Sequence, residues 1–238
     1  MDSETEKIPS TEELNYEILP EDFPTYDLTF KIIVIGDSFV GKSCLTTKGT
    51  KNQYDESYNA TVGFEFVTSN IKITDKVCKM QIWDTCGQEV YRSLITNFYR
   101  NSSLAILVYS IDNYESFENL DLWLKELKTF SSPDAKVFLI GNKTDLESKR
   151  KVTTEQGQKY KEDNNLDFFM EASAKNGFNA QKVFVEAAKI LYIDYLRYKD
   201  KVDKSRSSSV HSSIIKRHSL SQTVKITPKQ EEKKGCPC

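Results

Sequence analysis

The sequence predicts an α/β fold in which a mainly parallel sheet carries helices on both faces. Short apolar runs bounded by turn residues, typical of buried strands, recur at FKIIVI (30–35), LAILVYSI (104–111), KVFLIG (136–141) and DFFM (167–170). Amphipathic stretches of helical length lie between them at 116–130 and 179–196. Alternation of strand and helix favours parallel pairing, because each crossover between parallel strands uses a helix.

Residues 64–84 depart from this alternation. Two strand-like runs flank a tight turn at Thr74, Asp75 and Lys76, which predicts an antiparallel hairpin. The hairpin adds one antiparallel strand to the parallel set. We therefore expect a six-stranded sheet with one antiparallel strand.

Charge divides the chain into three parts. Residues 1–27 hold nine acidic residues and one lysine, and residues 198–238 hold ten basic and four acidic residues, within a chain whose net charge is −2. The near-neutral middle, 28–197, holds the apolar periodicity and is predicted to be the one globular domain. The two ends are predicted to be an acidic, mostly disordered extension and a flexible, basic, serine-rich tail. Within the extension, residues 14–19 could lie on a surface or bind a partner, but a solvated tail is the favoured interpretation.

Composition excludes several classes of protein. No apolar run approaches the roughly 18 residues that span a bilayer, and the acidic N-terminus is unlike a signal or transit peptide. The five cysteines are scattered, apart from Cys236 and Cys238 near the end. This usage indicates a reducing, cytosolic compartment without a disulfide framework.

The segment GDSFVGKS (36–43) follows a predicted strand and precedes a helical stretch. It matches G-x-x-x-x-G-K-[ST], in which the glycines let backbone N–H groups approach phosphates. Lys42 would reach the β- and γ-phosphate oxygens, and Ser43 would bind Mg²⁺. A chance match in a turn is the alternative, which the strand–loop–helix context disfavours. The other predicted nucleotide-binding residues of this loop are Gly36, Asp37, Ser38, Phe39, Val40, Gly41 and Cys44.

A second motif, NKTD (142–145), follows the run KVFLIG directly. The Asp145 carboxylate can accept two hydrogen bonds from guanine, an edge that adenine lacks, and such a site rejects the wrong base strongly. Lys143 would lay its aliphatic stem over the base. Alone the tetrapeptide would be a surface turn; roughly 100 residues after a phosphate loop, it indicates guanine binding. The residues predicted to line this pocket are Asn142, Lys143, Asp145, Ser173, Ala174 and Lys175.

A third motif is WDTCGQE (83–89). Asp84 ends a predicted strand and can hold Mg²⁺ through water. Gly87 can offer its N–H to a γ-phosphate, and Gln88 can orient an attacking water. A polar loop after a buried strand is the alternative, but it does not explain why Asp, Gly and Gln occur together.

In order and spacing, the three motifs resemble those of small GTPases of the Ras superfamily. Five segments are similar to the characteristic segments of Rab proteins: NATVGFEF (59–66), KMQIWDTCGQE (79–89), VYRSL (90–94), NFYR (97–100) and LVYSID (107–112). The resemblance covers residues 28–196 and the terminal C-x-C. It implies a P-loop NTPase G domain that binds GTP and GDP with Mg²⁺, hydrolyses GTP slowly and recruits effectors in the GTP state during vesicle traffic.

The resemblance also implies roles for particular residues. Thr61 should ligate Mg²⁺, Tyr54 should pack edgewise against guanine, and Tyr58 should shield the phosphates. An aromatic triad that reads effectors corresponds to Phe66, Trp83 and Phe98. These rings alternate along strands, so a core role is the competing interpretation, and both can hold because a partly exposed apolar patch is typical of an interface.

Cys236 and Cys238 correspond to the paired prenylation sites of Rab proteins. Two lipids, or one lipid with basic residues, anchor a protein stably, and each basic residue adds about 1 kcal/mol near an anionic leaflet. The alternative is a solvated tail with unmodified thiols. The implied location is the cytoplasmic face of an intracellular membrane, with a cytosolic pool. The implied partners are effectors, an exchange factor, a GTPase-activating protein and escort or GDP-dissociation-inhibitor chaperones, with a monomeric chain and no nucleic acid.

Three departures from the family pattern leave these contacts in place. Phe39 stands where a small residue is common, Cys86 replaces an alanine, and residues 46–49 replace an apolar helical turn. Gly49 in that turn costs about 1 kcal/mol relative to alanine. Three function classes remain to be compared: a GTP-hydrolysing switch, a non-hydrolysing Rab-like scaffold and a metabolic P-loop kinase or ATPase. Gln88, Thr61 and Ser43 favour the first, and NKTD opposes the third.

Overall fold

The structure, a computed structural model, describes residues 8–55, 63–87 and 98–207. Its strands are β1 (Tyr16–Leu19), β2 (Leu28–Ile35), β3 (Phe64–Ile73), β4 (Lys76–Thr85), β5 (Leu104–Ser110), β6 (Lys136–Asn142) and β7 (Phe168–Glu171). Its α-helices are α1 (Lys42–Lys51), α2 (Tyr114–Glu118), α3 (Leu120–Phe130), α4 (Thr154–Asp163) and α5 (Ala180–Ser207). Two 3₁₀ helices cover Thr11–Glu13 and Thr144–Lys149.

The seven described strands form one sheet in the order β1-β3-β4-β2-β5-β6-β7. Strand β2 pairs in parallel with β4 and β5, and β5, β6 and β7 continue the parallel set. Strand β3 is antiparallel to both of its neighbours, β1 and β4. It is therefore the single strand of the seven that runs against the others, as predicted, and the predicted hairpin is β3–β4. The predicted number of six strands is wrong, because β1 is a seventh.

The seventh strand comes from the acidic extension, so the prediction that residues 1–27 are mostly disordered is wrong for residues 8–27. Residues 16–19 pair with residues 70–73 of β3. Leu14 is buried in the core, and the Asn70 amide donates to the carbonyls of Pro20 and Glu21, both at 3.0 Å. The outer edge of β3 offers backbone groups that a short strand can pair. These contacts order residues 8–27, although the acidic composition of the segment predicts disorder.

The sheet is covered on both faces, as the continuous apolar runs predict. Along β2, Ile32 and Val34 join a core cluster that also contains residues of α1 and α5. The alternate residues, Ile33 and Ile35, join a second cluster with α3. The alternation places the loop that follows β2 at the edge of the sheet, between two helical layers.

The predicted helical stretches differ from the observed helices at their ends. The stretch 116–130 forms two helices, α2 and α3, which meet at Asn119. Helix α5 continues to Ser207, ten residues beyond the predicted domain end at 197. Pairs such as Arg197–Asp194 at 3.2 Å and Lys204–Asp200 at 2.8 Å stabilise a solvated helix without apolar periodicity. Within the described ranges, no helix has both the length and the apolar character needed to cross a bilayer.

Gly49 lies where α1 and α5 approach closely. A Cβ at this position would lie 2.4 Å from the Phe184 ring and 2.5 Å from the Ala180 carbonyl oxygen. The sequence identified this glycine only as a cost to helix stability. The structure shows that the close packing of the two helices requires it.

We expect Gly49→Ala to destabilise the protein by about 1–3 kcal/mol, because the added methyl group overpacks the α1–α5 contact. Urea unfolding of the nucleotide-free chain measures this free energy. Thr47→Ala, in the same helix, is the control and should change stability little. If Gly49→Ala instead stabilises the protein by about 1 kcal/mol, as helix propensity alone predicts, the contact is not as close as described.

Candidate functional site

The phosphate loop, Gly36–Gly41, connects β2 to α1 and requires glycine at both ends. Gly36 has φ +138, and a Cβ there would lie 2.1 Å from the Val108 carbonyl oxygen. Gly41 has φ +90, and its Cβ would lie 2.5 Å from the Asn142 amide nitrogen. Only glycine combines these backbone angles with such close approach. Helix α1 then begins at Lys42, so its free N–H groups face the loop, an arrangement that suits anions.

Lys42 is buried inside the loop. Its Nζ donates to the carbonyls of Gly36 at 2.9 Å and Asp37 at 2.7 Å. Burial lowers the pKa of Lys42 to about 8, while the carboxylates of Asp84 and Asp37 act in the opposite direction. The ammonium group is thus held by the backbone of the loop that it is predicted to serve.

Ser43 and Asp84 meet at the start of α1. The Ser43 hydroxyl donates to Asp84 Oδ2, and Asp84 is 1% exposed at the end of β4. Burial raises the pKa of Asp84 to about 7, opposed by the Ser43 hydrogen bond and by Lys42. Asp84 Oδ1 is also buried and has no hydrogen-bond partner among the described residues. An unpartnered carboxylate oxygen beside a hydroxyl matches the oxygen ligands that Mg²⁺ prefers.

Other metal sites are not evident in the described ranges, which contain no group of three or more His, Cys, Asp or Glu side chains able to hold an ion. Mg²⁺ commonly uses one or two protein ligands and completes its shell with water and substrate phosphates. The pair Ser43 and Asp84 fits that pattern.

Asn142 joins the phosphate loop to the other residues predicted to bind guanine. Its amide nitrogen donates to the carbonyls of Val40 at 2.8 Å and Gly41 at 3.3 Å, and its Oδ1 accepts from the Ala174 N–H at 3.2 Å. Asn142 is fully buried. One side chain therefore connects three segments that are far apart in the sequence.

The remaining residues predicted to bind guanine lie on the same edge of the sheet. Asp145 is exposed, and its Oδ1 accepts from the Ser173 hydroxyl at 2.5 Å. Lys143 has φ +68, and its Cε lies 3.9 Å from the Cβ position of Gly41. Ala174 is buried, and Lys175 is exposed beside it. The structure thus brings NKTD, residues 173–175 and the phosphate loop together.

Phe39 lies at the outer tip of the phosphate loop. Its side chain is 78% exposed, so the ring does not fill the loop. Its φ of +64 is a left-handed backbone angle, which is uncommon for a bulky residue. The backbone at position 39 therefore has a left-handed conformation, which glycine adopts most easily.

Gly87 brings the third motif against the phosphate loop. A Cβ on Gly87 would lie 2.3 Å from both the Asp37 carbonyl carbon and the Ser38 nitrogen. The Cys86 N–H donates to the Gly63 carbonyl at 3.0 Å, and Cys86 is buried in the second core cluster. A larger residue at position 87 would displace one of the two backbones.

Some predicted residues are not placed by the structure. Tyr58, Thr61 and Gln88 lie outside the described residues, as do Cys236 and Cys238. Tyr54 follows α1 and is 37% exposed. The roles predicted for these six residues stay predictions.

The predicted aromatic triad forms part of a four-ring cluster, the aromatic patch: Phe64, Phe66, Trp83 and Phe98. The Trp83 ring lies 4.9 Å from Phe66 and 5.0 Å from Phe98, centroid to centroid. Phe64, which the sequence reasoning missed, lies 4.6 Å from Phe98. Its position two residues before Phe66 on one strand could have identified it, since such residues share a face. Phe64 and Phe66 are each 48% exposed, whereas Trp83 and Phe98 also pack on the core, so the patch is a surface with a buried base.

Residues 31–193 match the model of the Ras family. The chain is 45% identical over 167 residues to Ras-related protein RABA1b of Arabidopsis thaliana, covering 70% of this chain and 77% of that protein. It is 36% identical to RABA1g of the same plant over 214 residues, covering 89% and 94%. It is 41% identical to Ras-related protein Rab11B of Nicotiana tabacum over 167 residues, covering 70% and 76%.

Proposed function

The chain belongs to the Ras family, as a Rab-like small GTPase that hydrolyses GTP, and on this basis we propose a role for each residue of the site. The phosphate loop holds the β- and γ-phosphates through its N–H groups and Lys42. Asp145 and Lys143 hold the guanine. The observation that carries the proposal is the Asn142 bridge, which connects the phosphate loop to the Ala174 backbone.

Ser43, Asp84 and Thr61 are the residues that would hold Mg²⁺, Asp84 through water. A bound Mg²⁺ neutralises charge on the β- and γ-phosphate oxygens. The Ser43 hydroxyl donates a hydrogen bond to Asp84 Oδ2. The buried Asp84 carboxylate then supplies the negative charge that favours a cation at this point.

Gln88 positions the water that attacks the γ-phosphate, and Gly87 donates its N–H to that phosphate. Tyr58 shields the phosphates, and Tyr54 packs against the base. Intrinsic hydrolysis is slow when an enzyme of this class lacks an arginine finger, and one supplied by a partner adds roughly 10³–10⁵-fold. The chain therefore acts as a timed switch that a GTPase-activating protein resets.

The aromatic patch is the proposed contact for effectors, because half-exposed clustered rings are typical of interfaces. Prenyl groups on Cys236 and Cys238, with the basic tail, place the switch on an intracellular membrane. Exchange factors and prenyl-binding chaperones act on the same chain. These features together support a role in vesicle-mediated membrane traffic.

We expect Gln88→Leu to hydrolyse GTP at least about ten-fold more slowly than the parent in single turnover, since leucine cannot orient water. Pre-loaded, radiolabelled GTP and quenched time points measure the rate. Gln158→Leu, on the exposed surface of α4, is the control and should match the parent. Equal rates for Gln88→Leu and the parent would remove Gln88 from the mechanism, and a parent with no hydrolysis would support the scaffold alternative.

A further inference from the structure

Asp37, the second residue of the phosphate loop, directs its side chain to the junction between α2 and α3. Its Oδ1 accepts from the Trp123 indole N–H at 2.7 Å, and its Oδ2 accepts from the Asn119 amide at 2.7 Å. Both carboxylate oxygens are thus bonded to side chains of the helical layer. The G-x-x-x-x-G-K-[ST] motif gives the backbone of Asp37 a role in phosphate binding but assigns none to its side-chain carboxylate.

Packing and hydrogen bonds hold the two donor residues, Trp123 and Asn119, in place. Trp123 is 1% exposed and belongs to the second core cluster. Asn119 ends α2 and begins α3, and its own N–H donates to the Glu115 carbonyl at 2.9 Å. Hydrogen bonds to a carboxylate are stronger than those between neutral groups. The first turn of α3 also favours a negative charge beside it. The carboxylate is therefore held on a rigid support.

The backbone of Asp37 touches the groups proposed to handle phosphate. Its carbonyl accepts from Lys42 Nζ at 2.7 Å. A Cβ on Gly87 would lie 2.3 Å from the Asp37 carbonyl carbon. A shift of Asp37 would therefore move Lys42 or collide with Gly87. The side chain fixes one end of the loop, and the backbone transmits that position to the phosphate site.

We propose that Asp37 is a positioning residue, whose carboxylate clamps the phosphate loop to Asn119 and Trp123 so that the loop is preset for a nucleoside di- or triphosphate. This inference rests on the proposed function, because it assumes that the loop binds nucleotide. It goes further by assigning nucleotide retention to a side chain that is bonded to the helical layer. A polar contact that only stabilises the fold is the competing explanation.

The direct test is Asp37→Asn in the full chain. The asparagine is neutral and has one acceptor oxygen, so the bond from Trp123 loses its charged acceptor and the Asn119 amide must reverse to accept from the new NH₂. We expect release of fluorescent GDP to become about ten-fold faster or more, as the replacement of two hydrogen bonds to a charged group by neutral ones implies. The ³¹P resonance of the bound β-phosphate should shift as well.

A swap distinguishes positioning from fold stability. In Asp37→Asn combined with Asn119→Asp, the new amide donates to the new carboxylate and still accepts from Trp123. GDP release should return to within about three-fold of the parent, since the hydrogen bonds are restored. The matched control is Asp121→Asn, which removes the same charge from the first turn of α3, where Asp121 accepts from the Tyr160 hydroxyl at 2.8 Å. Its GDP release should equal that of the parent.

The outcomes separate the clamp from the function on which it rests. GDP release at the parent rate in Asp37→Asn, or a swap as fast as the single variant, overturns the clamp while leaving nucleotide binding intact. A parent that binds no GDP overturns the proposed function and the clamp together. If Asp37→Asn does not fold, Trp123→Phe removes one donor and keeps a ring in the core. Its release should then be about three-fold faster than that of the parent, and an unchanged rate would overturn the clamp.

Discussion

Asp145→Asn is expected to lower the affinity of the chain for GTP by roughly 10³-fold or more, since a site built to hydrogen-bond its ligand strongly rejects a mismatched partner. The carboxylate accepts from two guanine donors, whereas the amide offers one acceptor and one donor. Xanthine presents a carbonyl where guanine presents its amine, so the variant should gain affinity for XTP. Displacement of a fluorescent nucleotide by GTP and by XTP measures both changes.

Two comparisons make the Asp145 result specific. Ser173→Ala removes the hydroxyl that donates to Asp145 at 2.5 Å and should weaken GTP binding by about ten-fold. Asp163→Asn makes the same charge change on the surface of α4 and should bind GTP like the parent. Parental GTP affinity in Asp145→Asn, without a gain for XTP, would show that Asp145 does not read the base.

Asp84→Asn is expected to lower the affinity of the chain for Mg²⁺ by about 10–100-fold. This is the range for residues that orient the metal's ligands without coordinating the metal directly. The buried, unpartnered Oδ1 and the Ser43 contact make Asp84 the main negative charge at this point. Titration of Mg²⁺ against the rate of GDP release measures the change. Chelation by EDTA should speed release from the parent and have little further effect on the variant.

Glu65→Gln is the matched control for Asp84→Asn. Glu65 lies opposite Asp84 in the β3–β4 pairing but is exposed. The Glu65 charge has only a minor effect on the pKa of Asp84, so its removal should change the Mg²⁺ dependence of GDP release far less than Asp84→Asn does. Equal Mg²⁺ requirements in Asp84→Asn and the parent would place the metal elsewhere.

The central strands and the hairpin could be predicted because their sequence patterns reflect burial directly. Strand β2 is apolar at successive positions since Ile32 and Ile33 enter core clusters on opposite faces. The β3–β4 hairpin follows from two strand-like runs around a short turn. In both cases the forces that set the structure act on the residues that show the pattern.

Other features depend on neighbours that the local sequence does not reveal. Strand β1 forms because the edge of β3 is available, although its own segment is acidic. Gly49 appears unfavourable in an isolated helix, and only the position of Phe184 explains it. The C-terminal part of α5 has no apolar stripe, so its extension could not be read from periodicity.

The candidate site could also be predicted from the sequence only in part. Motifs identified Lys42, Ser43 and Asp145, because phosphate and guanine binding need fixed residue types at fixed spacing. They gave no hint of the Asp37 clamp, whose partners lie 82 and 86 residues away. Nor did they show that Asn142 bonds to the phosphate loop. Side-chain partners at such distances follow from the packed fold.

The measurement that tests the guanine-nucleotide switch most directly is competition for the parent chain in Mg²⁺ between fluorescent GDP and unlabelled GTP, GDP and ATP. GTP and GDP should displace the probe at concentrations near that of the protein. ATP should fail to do so even at roughly 10³-fold excess, because adenine lacks the edge that a site built for guanine requires. Displacement by ATP at the same concentrations as GTP would contradict guanine recognition, and failure of any nucleotide to bind would contradict the site itself.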